Sequence, residues 1–550
     1  MKIKTCLISL SLLASCAIAS NDLSIIPTQT NGFERNFNPF DPTVGSFYAT
    51  DFIYEPLWIF NVWHPENDFP RLARSVSVAS DYRSVTYTLR DNVRWSDGER
   101  FDADDVVFTV NYARKHPDYP VNIDLFDPAT DNGLVNDVEK LDDFTVRFTL
   151  VQPNALAHQS IGGLYPLPEH IFSKIDDPVN HANLTPVGTG PFTEVDTFRT
   201  TYFKLCQNPN YYQAEQVQID CLRFPHYSGN EQLWAAARRG KIDWMGQGIN
   251  QPEEQYTSYL PSNKVWLAPG ANTNVQINTT RAPLNDARFR QALSMALNRD
   301  EMLSEDTFGL TSPTPWPVAT GPGYTAWYDA QTLEPYARLM QYNPGEAAAL
   351  LDQAGYRDTN SNGWRELPDG TEINIGVAVP SGWTDWFNVV LTMVDNFRAI
   401  GINAHVEGMD EQKWFERIPT GDFDLYMMWT NPGITPWKIY NELFDPNSMT
   451  PGQLENQAMH QYRSEDIERW LQAFTQTNDP TEQRRLITQI QTVVAEQVPV
   501  LSLFANPIWY EYSDKEFVGW VTEDNPYVRP QVHKGVPERL IHVLNLKPRE

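Results

Sequence analysis

Apolar and polar residues follow one another along this chain in two rhythms. Around residue 85 the period is two: Val85, Tyr87 and Leu89 alternate with polar neighbours, as on a half-buried strand. Asp97-Gly98 then supplies a turn. Asp102 stands as a helix N-cap with Asp105 three residues on, ahead of the apolar Val106, Val107 and Phe108. The stretch 58–184 keeps this short-strand character, with further turn pairs at Asp91-Asn92 and Asp142-Asp143. From about residue 273 the period lengthens. Phe289, Ala292, Leu293, Ala296 and Leu297 make a one-sided stripe that predicts a helix within Asn285 to Leu303. Pro344 to Gly355 reads as a short helix with proline at its start and glycine at its end. Ile373, Ile375, Val377 and Val379 alternate as a strand, a helical run continues to about Ile400, and Ile402 to Val406 reads as a second strand. That β-α-β order predicts an α/β lobe. No internal repeat or low-complexity tract is visible.

A chain of 550 residues is too long for one hydrophobic core, so two or three domains are expected. Its 41% hydrophobic and 20% charged residues argue for a globular protein. The net charge of −28 makes nucleic acid and anionic membrane surfaces poor partners, because phosphate binding needs clustered Lys and Arg. The acidity reads as solubility.

Lys2 and Lys4, an apolar run from Leu7 to Leu13 and the small residues that follow read as an export signal over residues 1–19. No later stretch approaches the roughly 18 apolar residues that would cross a bilayer. Two cleavage patterns stand side by side: Ala17-Ile18-Ala19 fits ordinary signal peptidase, and Leu13-Ala14-Ser15-Cys16 fits a lipoprotein box that would leave Cys16 acylated as an anchor. Cys206 and Cys221 remain outside the leader. In an exported protein this spacing favours one disulfide, with two buried free thiols as the alternative.

Enzyme signatures are missing. There is no GxSxG, HExxH or Walker loop, and Gly188-Thr189-Gly190 lacks the third glycine of a dinucleotide fingerprint. No CxxC or paired histidine suggests a metal. Asp358-Thr359-Asn360-Ser361-Asn362-Gly363 imitates half a calcium loop, but Asp369 stands where such loops carry glutamate, and a solvated turn is the plainer reading. Neither cofactor nor metal is expected. Seventeen tryptophans, by contrast, exceed what packing requires. Indole faces cover the C–H faces of a pyranose ring while amides and carboxylates pair with its hydroxyl rim.

Taken whole, Val85 to Val110 (VTYTLRDNVRWSDGERFDADDVVFTV) resembles a hallmark of the extracytoplasmic solute-binding proteins, family 5, that serve peptide, nickel and oligosaccharide ABC importers. Further matches follow in the family's order: Tyr54-Glu55-Pro56-Leu57, Pro186 to Phe192, Asn208-Pro209-Asn210-Tyr211-Tyr212, Pro283 to Leu293, Asn298-Arg299 and Ala354-Gly355-Tyr356. Arg35 to Phe40, Thr50 to Leu57, Asp220 to Arg223, Gly382-Trp383-Thr384-Asp385 and Pro537 to Pro548 are similar to the members that bind chitin- and cello-oligosaccharides. The resemblance implies an α/β, two-lobed periplasmic-binding-protein fold with an additional smaller lobe and a ligand cleft between hinged lobes. It places lobe I in residues 20–57, 185–272 and 505–550, the appended lobe in 58–184, and lobe II in 273–504. Strands crossing near 272 and near 504 would form the hinge.

Trp383 follows a strand end and falls on the match to the sugar binders, so it is the leading stacking platform, with Trp386 beside it; a core tryptophan is the alternative. Trp520, in Gly519 to Pro526, also resembles those members and is read as ligand contact or packing. The segment Met427 to Trp437 contributes Trp429, Asn431 and Trp437. Peptide-binding relatives offer an aspartate there, whereas nothing acidic occurs here between Leu425 and Asn441, which weighs against a peptide. The chitin-oligosaccharide binders carry Asn where this chain has Trp429 and an aromatic where it has Asn431, so the exact sugar stays open. Arg35, Asn36 and Asn208, from the Arg-Asn-Phe-Asn-Pro-Phe and Asn-Pro-Asn-Tyr-Tyr motifs, could present polar groups to hydroxyls, or form turns before proline.

The expectation is therefore a periplasmic, signal-exported receptor, lipid-anchored if Cys16 is processed. It would bind a β-linked oligosaccharide of the chito- or cello-type as a monomer and deliver it to an inner-membrane ABC permease. A peptide receptor of the same family, or a secreted glycoside hydrolase, is the alternative.

Overall fold

The segment from Val85 to Val110 folds as its local pattern dictates. In the computed structural model, strand Ser84–Leu89 alternates half-buried and buried residues, and helix Ala103–Lys115 starts at Asp102. The Asp102 carboxylate accepts from the Asp104 amide at 2.9 Å, and the Asp102 amide donates back to Asp105 at 3.1 Å, a reciprocal cap that satisfies two orphan donors. Asp105 also accepts from the Trp95 indole at 3.2 Å and the Glu169 amide at 3.0 Å. Burial pushes its carboxyl up to about 6 against those hydrogen bonds. The structure describes residues 21–28, 30, 32–39, 48–116, 125, 133–249, 251–307, 309–450, 452, 454, 455 and 457–550; the leader over 1–19 and Cys16 lie outside them.

Two sheets organise these residues. Ala73–Val78, Ser84–Leu89, Thr145–Leu150 and Val135–Asp142 form an antiparallel four-stranded sheet in that order. A mixed ten-stranded sheet begins Asn403–Met409, Asn374–Pro380, Leu425–Trp429, Asn263–Ile277 and Val500–Ser513. It continues through Trp244–Met245, Asp22–Ile26, Cys221–Pro225, Tyr202–Gln207 and Phe192–Arg199. The apolar core divides accordingly. One cluster joins Leu23, Phe52, Phe203, Tyr510 and Leu540; the other joins Val275, Phe289, Val377, Met427 and Phe504. The result is an α/β, two-lobed fold. Val85, Tyr87, Val146 and Phe148 of the four-stranded sheet belong to the first cluster.

Asn263–Ile277 and Val500–Ser513 are the longest strands among the described residues and pair antiparallel from Asn263 opposite Ser513 to Gln276 opposite Val500. Their register slips between Ala268 and Ala271 and again between Thr273 and Asn274, where the chain passes from one half to the other. A side chain at Gly270 would lie 2.0 Å from the Asn506 carbonyl oxygen, so the strands can approach this closely only with glycine there.

The β-α-β unit is present as strand Asn374–Pro380, helix Thr384–Ala399 and parallel strand Asn403–Met409. Helix Pro344–Ala354 ends at Gly355 in the left-handed region. The stripe from Asn285 to Leu303 is not one helix, however. Helix Ala287–Ala296 stops, and Asn298 restarts the chain by capping the Glu301 amide while its own amide donates to Asn396 at 2.6 Å. Apolar spacing carried no sign of this break because Phe289 and Leu293 before it and Met302 and Leu303 after it join the same cluster.

The sequence motifs of the first half meet at one junction. Asn208 Nδ2 donates to the Gly190 carbonyl at 2.9 Å, Asn210 Nδ2 to the Ser96 carbonyl at 2.9 Å, and the Ser96 amide to the Gly188 carbonyl at 3.0 Å. Tyr211 donates to Glu55 at 2.8 Å, and a side chain at Gly188 would lie 2.0 Å from the Ile53 carbonyl oxygen. These motifs lock the small sheet onto the large one.

Cys206 and Cys221 face each other on paired strands with Cα atoms 4.0 Å apart and sulfurs bonded. A closed loop of 15 residues restricts the unfolded chain by about 3 kcal/mol. Reduction, or Cys206→Ser with Cys221→Ser, should lower the melting temperature measured by differential scanning fluorimetry. An unchanged melt after complete reduction would remove the disulfide from the account.

Candidate functional site

Between the two halves lies a cavity of ≈ 2480 Å³, several times the roughly 300–1,000 Å³ of a drug-sized ligand pocket. A space this large suits an oligomer. The ends of the sheet strands and the loops behind them line it, the usual place for ligand loops in α/β lobes.

The wall from the second half is aromatic. Trp429 ends strand Leu425–Trp429, and Trp383 and Trp386 open helix Thr384–Ala399; all three line the cavity. Behind them Trp414 is fully buried and stacks on Trp429 at 6.2 Å and 23°. Trp383 lies 5.2 Å from Trp386, 5.4 Å from Trp414 and 6.3 Å from Trp429. Each ring is therefore braced by two or three others, so the exposed indole surfaces are preorganised. Opposite, Trp58, Phe60 and Trp509 line the first half. Phe60 is held against Gly162, where a side chain would come within 2.8 Å of its ring.

The charged lining of the cavity includes two internal ion pairs, with Asp385, Asp410, Asp445, Glu455 and Lys534 besides. Arg529 and Glu538 form a buried two-pronged ion pair at 2.8 Å on each arm, and Lys438 pairs with Glu442 at 2.7 Å. Burial pushes the Asp385 carboxyl up. It brings the Lys534 ammonium down to about 7, with Asp51 opposing and Arg539 reinforcing the shift. Both shifts favour the neutral form, which suits an uncharged ligand.

Of the residues singled out by sequence, Trp383, Trp429, Asn431 and Trp437 line this cavity, and Trp520, Arg35, Asn36 and Asn208 are not among the described residues that do. Trp520 is packed inside the first half: its indole donates to the Phe517 carbonyl at 3.0 Å and its ring lies 5.0 Å from Tyr512. Asn208 is buried in the motif junction. Arg35 Nε donates to the Leu184 carbonyl at 3.0 Å on the surface, and Asn36 Oδ1 accepts from the Asn38 amide at 2.9 Å, a local turn. Asp358 likewise bonds the Ser361 and Gly363 amides, closing its loop as a turn. Sequence reading missed Trp509, Trp58 and Phe60. Trp509 alternates with the inward Ile508 and Tyr510 on a crossing strand, the one signal that could have pointed to it. It also missed the acidic groups Asp385, Asp410 and Glu442, which reach the cavity from outside the stretch 425–441.

At the rim the halves touch directly. The Ala155 amide donates to the Thr475 carbonyl at 2.6 Å, Gln472 to Gln152 at 3.4 Å, and Leu156 packs on the cluster that holds Trp437 and Phe474. No helix among the described residues is long and apolar enough to cross a membrane.

Residues 69–450 match the family described as bacterial extracellular solute-binding proteins, family 5 Middle. The chain is 24% identical to the glutathione-binding protein GsiB of Escherichia coli K12, over 94% of this chain and 96% of that protein. It is 25% identical to the dipeptide-binding protein of the same organism, covering 94% and 95%. Among solved structures, a periplasmic oligopeptide-binding protein of Thermotoga maritima superposes with a TM-score of 0.87 at 22% identity, covering 96% of this chain and 99% of that one. Its mannohexaose-bound form gives 0.83 at 22% identity, covering 97% and 99%.

Proposed function

Because the chain belongs to family 5 of the bacterial extracellular solute-binding proteins and is thus the substrate-binding receptor of an ABC importer, not an enzyme, we propose that its cleft captures a neutral β-linked oligosaccharide of the chitin or cellulose type. The observation that carries this reading is the braced wall of Trp383, Trp386 and Trp429 facing Trp58, Phe60 and Trp509 across the cavity. Stacked indoles desolvate flat sugar faces without any charge on the ligand, and the Arg529–Glu538 and Lys438–Glu442 pairs keep part of the cavity's charge matched within the protein. The Thermotoga maritima neighbour with mannohexaose bound lends support, since its fold is closely similar.

In this reading lobe I comprises residues 20–57, 185–272 and 505–550, residues 58–184 form the appended lobe, and 273–504 form lobe II. The crossing strands around Gly270 and Asn506 act as the hinge. Sugar contacts made with both lobes exist only in the closed form, so the ligand shifts an open-to-closed equilibrium and presents that form to the inner-membrane permease. Residues 1–19 direct export, and processing at Cys16 would add a lipid anchor.

A peptide is the second reading. It is favoured by the relatives named for glutathione and dipeptide, and by Asp385 and Glu442, either of which could receive an ammonium group. Titration calorimetry with chitotetraose, cellotetraose, laminaritetraose and a tripeptide separates the two. Binding of a sugar, recovered uncut, with no heat from the tripeptide is the expected result; the reverse pattern would replace the sugar reading with the peptide one.

A further inference from the structure

Trp429 is held by more than its neighbouring rings. Its indole nitrogen donates to Asn431 Oδ1 at 3.2 Å, Asn431 Nδ2 donates to Glu442 Oε2 at 3.1 Å, and Glu442 Oε1 accepts from Lys438 at 2.7 Å. Lys438 and Glu442 stand one turn apart on helix Trp437–Phe444, which follows the strand carrying Trp429 after a short loop. The chain of bonds has a fixed direction. An ionised carboxylate only accepts, so the amide of Asn431 must turn its NH₂ towards Glu442, and its carbonyl then faces the indole N–H. The opposite amide orientation would set N–H against N–H at the indole and oxygen against oxygen at the carboxylate.

We propose that Glu442, acting through the amide of Asn431, is a positioning residue that fixes the plane of the Trp429 indole in the cleft. Asn431, which sequence comparison suggested as a ligand contact, thereby serves as the relay. The proposal concerns ligand recognition and rests there on the reading of Trp429 as a stacking platform. Its structural core, the control of the indole by Glu442, stands without any ligand. A tryptophan at 429 needs an acceptor for its N–H, and the asparagine at 431 supplies one.

The test uses the full chain labelled with ¹⁵N at the tryptophan indoles and free of ligand. The Trp429 N–H resonance is the one lost in Trp429→Phe. In Glu442→Ala it should move upfield and exchange with solvent at least tenfold faster, while Glu442→Gln, whose carbonyl can still accept from Asn431, should leave it near its original position. An unmoved resonance in Glu442→Ala would overturn the proposal. Affinity for chitotetraose and cellotetraose supplies the second arm. Glu442→Ala should weaken the sugar bound by the parent protein about fivefold, and the same change should have no effect in a Trp429→Phe background, where no indole remains to orient. A loss that persists in that background would show that Glu442 meets the ligand itself. Should neither sugar bind the parent protein, the oligosaccharide reading fails, and the resonance still decides the relay.

Discussion

Trp383→Ala should weaken oligosaccharide binding at least tenfold and leave the fold intact. The ring is half-buried at the N-terminus of helix Thr384–Ala399, in contact with Trp386, Trp414 and Trp429, and part of it faces the cavity. Loss of one stacked ring removes about 1–2 kcal/mol of contact and burial. A tenfold change in affinity corresponds to about 1.4 kcal/mol. Truncation also frees Trp386 and Trp429 from one brace, so they must be ordered again when ligand binds. The backbone at this position is secured independently, through the Trp383 amide to the Pro380 carbonyl at 3.2 Å and the Phe387 amide to the Trp383 carbonyl at 2.8 Å. Trp383→Phe should fall between the two. Calorimetry read together with a circular-dichroism melt checks this, and an unaltered dissociation constant in the alanine variant would take Trp383 out of the site.

Glu511→Gln should stabilise the protein above neutral pH. Glu511 lies on crossing strand Val500–Ser513, fully buried between Met245 and Val265. Its Oε2 accepts from the Gln247 amide at 3.0 Å, whereas Oε1 has no hydrogen-bond partner among the described residues. Burial pushes its carboxyl up to about 8, with the Gln247 amide opposing. Between the ordinary glutamate value and about 8 the folded protein therefore holds a proton that the unfolded chain has released. Glu511's contribution to stability falls as pH rises through that window, by up to about 1.4 kcal/mol per pH unit, and levels off above it. Asp243 and Asp105, pushed up to about 6 by burial, contribute in the same direction but are spent by pH 6, while the buried histidines below about 6.5 and Lys534 above about 7 oppose, so the difference between parent and variant isolates Glu511. Glutamine keeps the shape and cannot ionise. The variant should match the parent near pH 5 and melt several degrees higher at pH 8.5. Parallel melting curves across that range would contradict the assignment.

The elements legible in the sequence were those whose causes are local. The strand, turn and capped helix from Val85 to Val110 and the helix closing at Gly355 depend on neighbours within a few residues. The β-α-β unit around Asn374–Met409 follows equally from period and punctuation. What the pattern could not give was long-range pairing. Strand Asp22–Ile26 lies between Cys221–Pro225 and Trp244–Met245, some 200 positions away, and no local signal encodes that choice. The site divides in the same way. Trp383 was found because a strand end and a family match coincide there. Trp520 was not separable from it by sequence, since both are tryptophans beside glycines, and only packing puts one ring in the cavity and the other against Tyr512 and His542. Glu442 escaped notice because its role depends on a helix folding back over the loop that holds Asn431. The family motifs at Gly188 and Asn208 were visible as motifs, yet their chemistry is structural, joining the small sheet to the large one.

The central claim is that a neutral sugar is gripped between aromatic walls belonging to two closing lobes. The most direct measurement is a co-crystal structure with chitotetraose or cellotetraose, whichever binds more tightly in the calorimetric panel. Pyranose rings lying flat against Trp383 or Trp429 on one side, with Trp58, Phe60 or Trp509 across from them, are the predicted result. A sugar found outside the interlobe cavity, or held there only by charged side chains with no ring against it, would contradict the account.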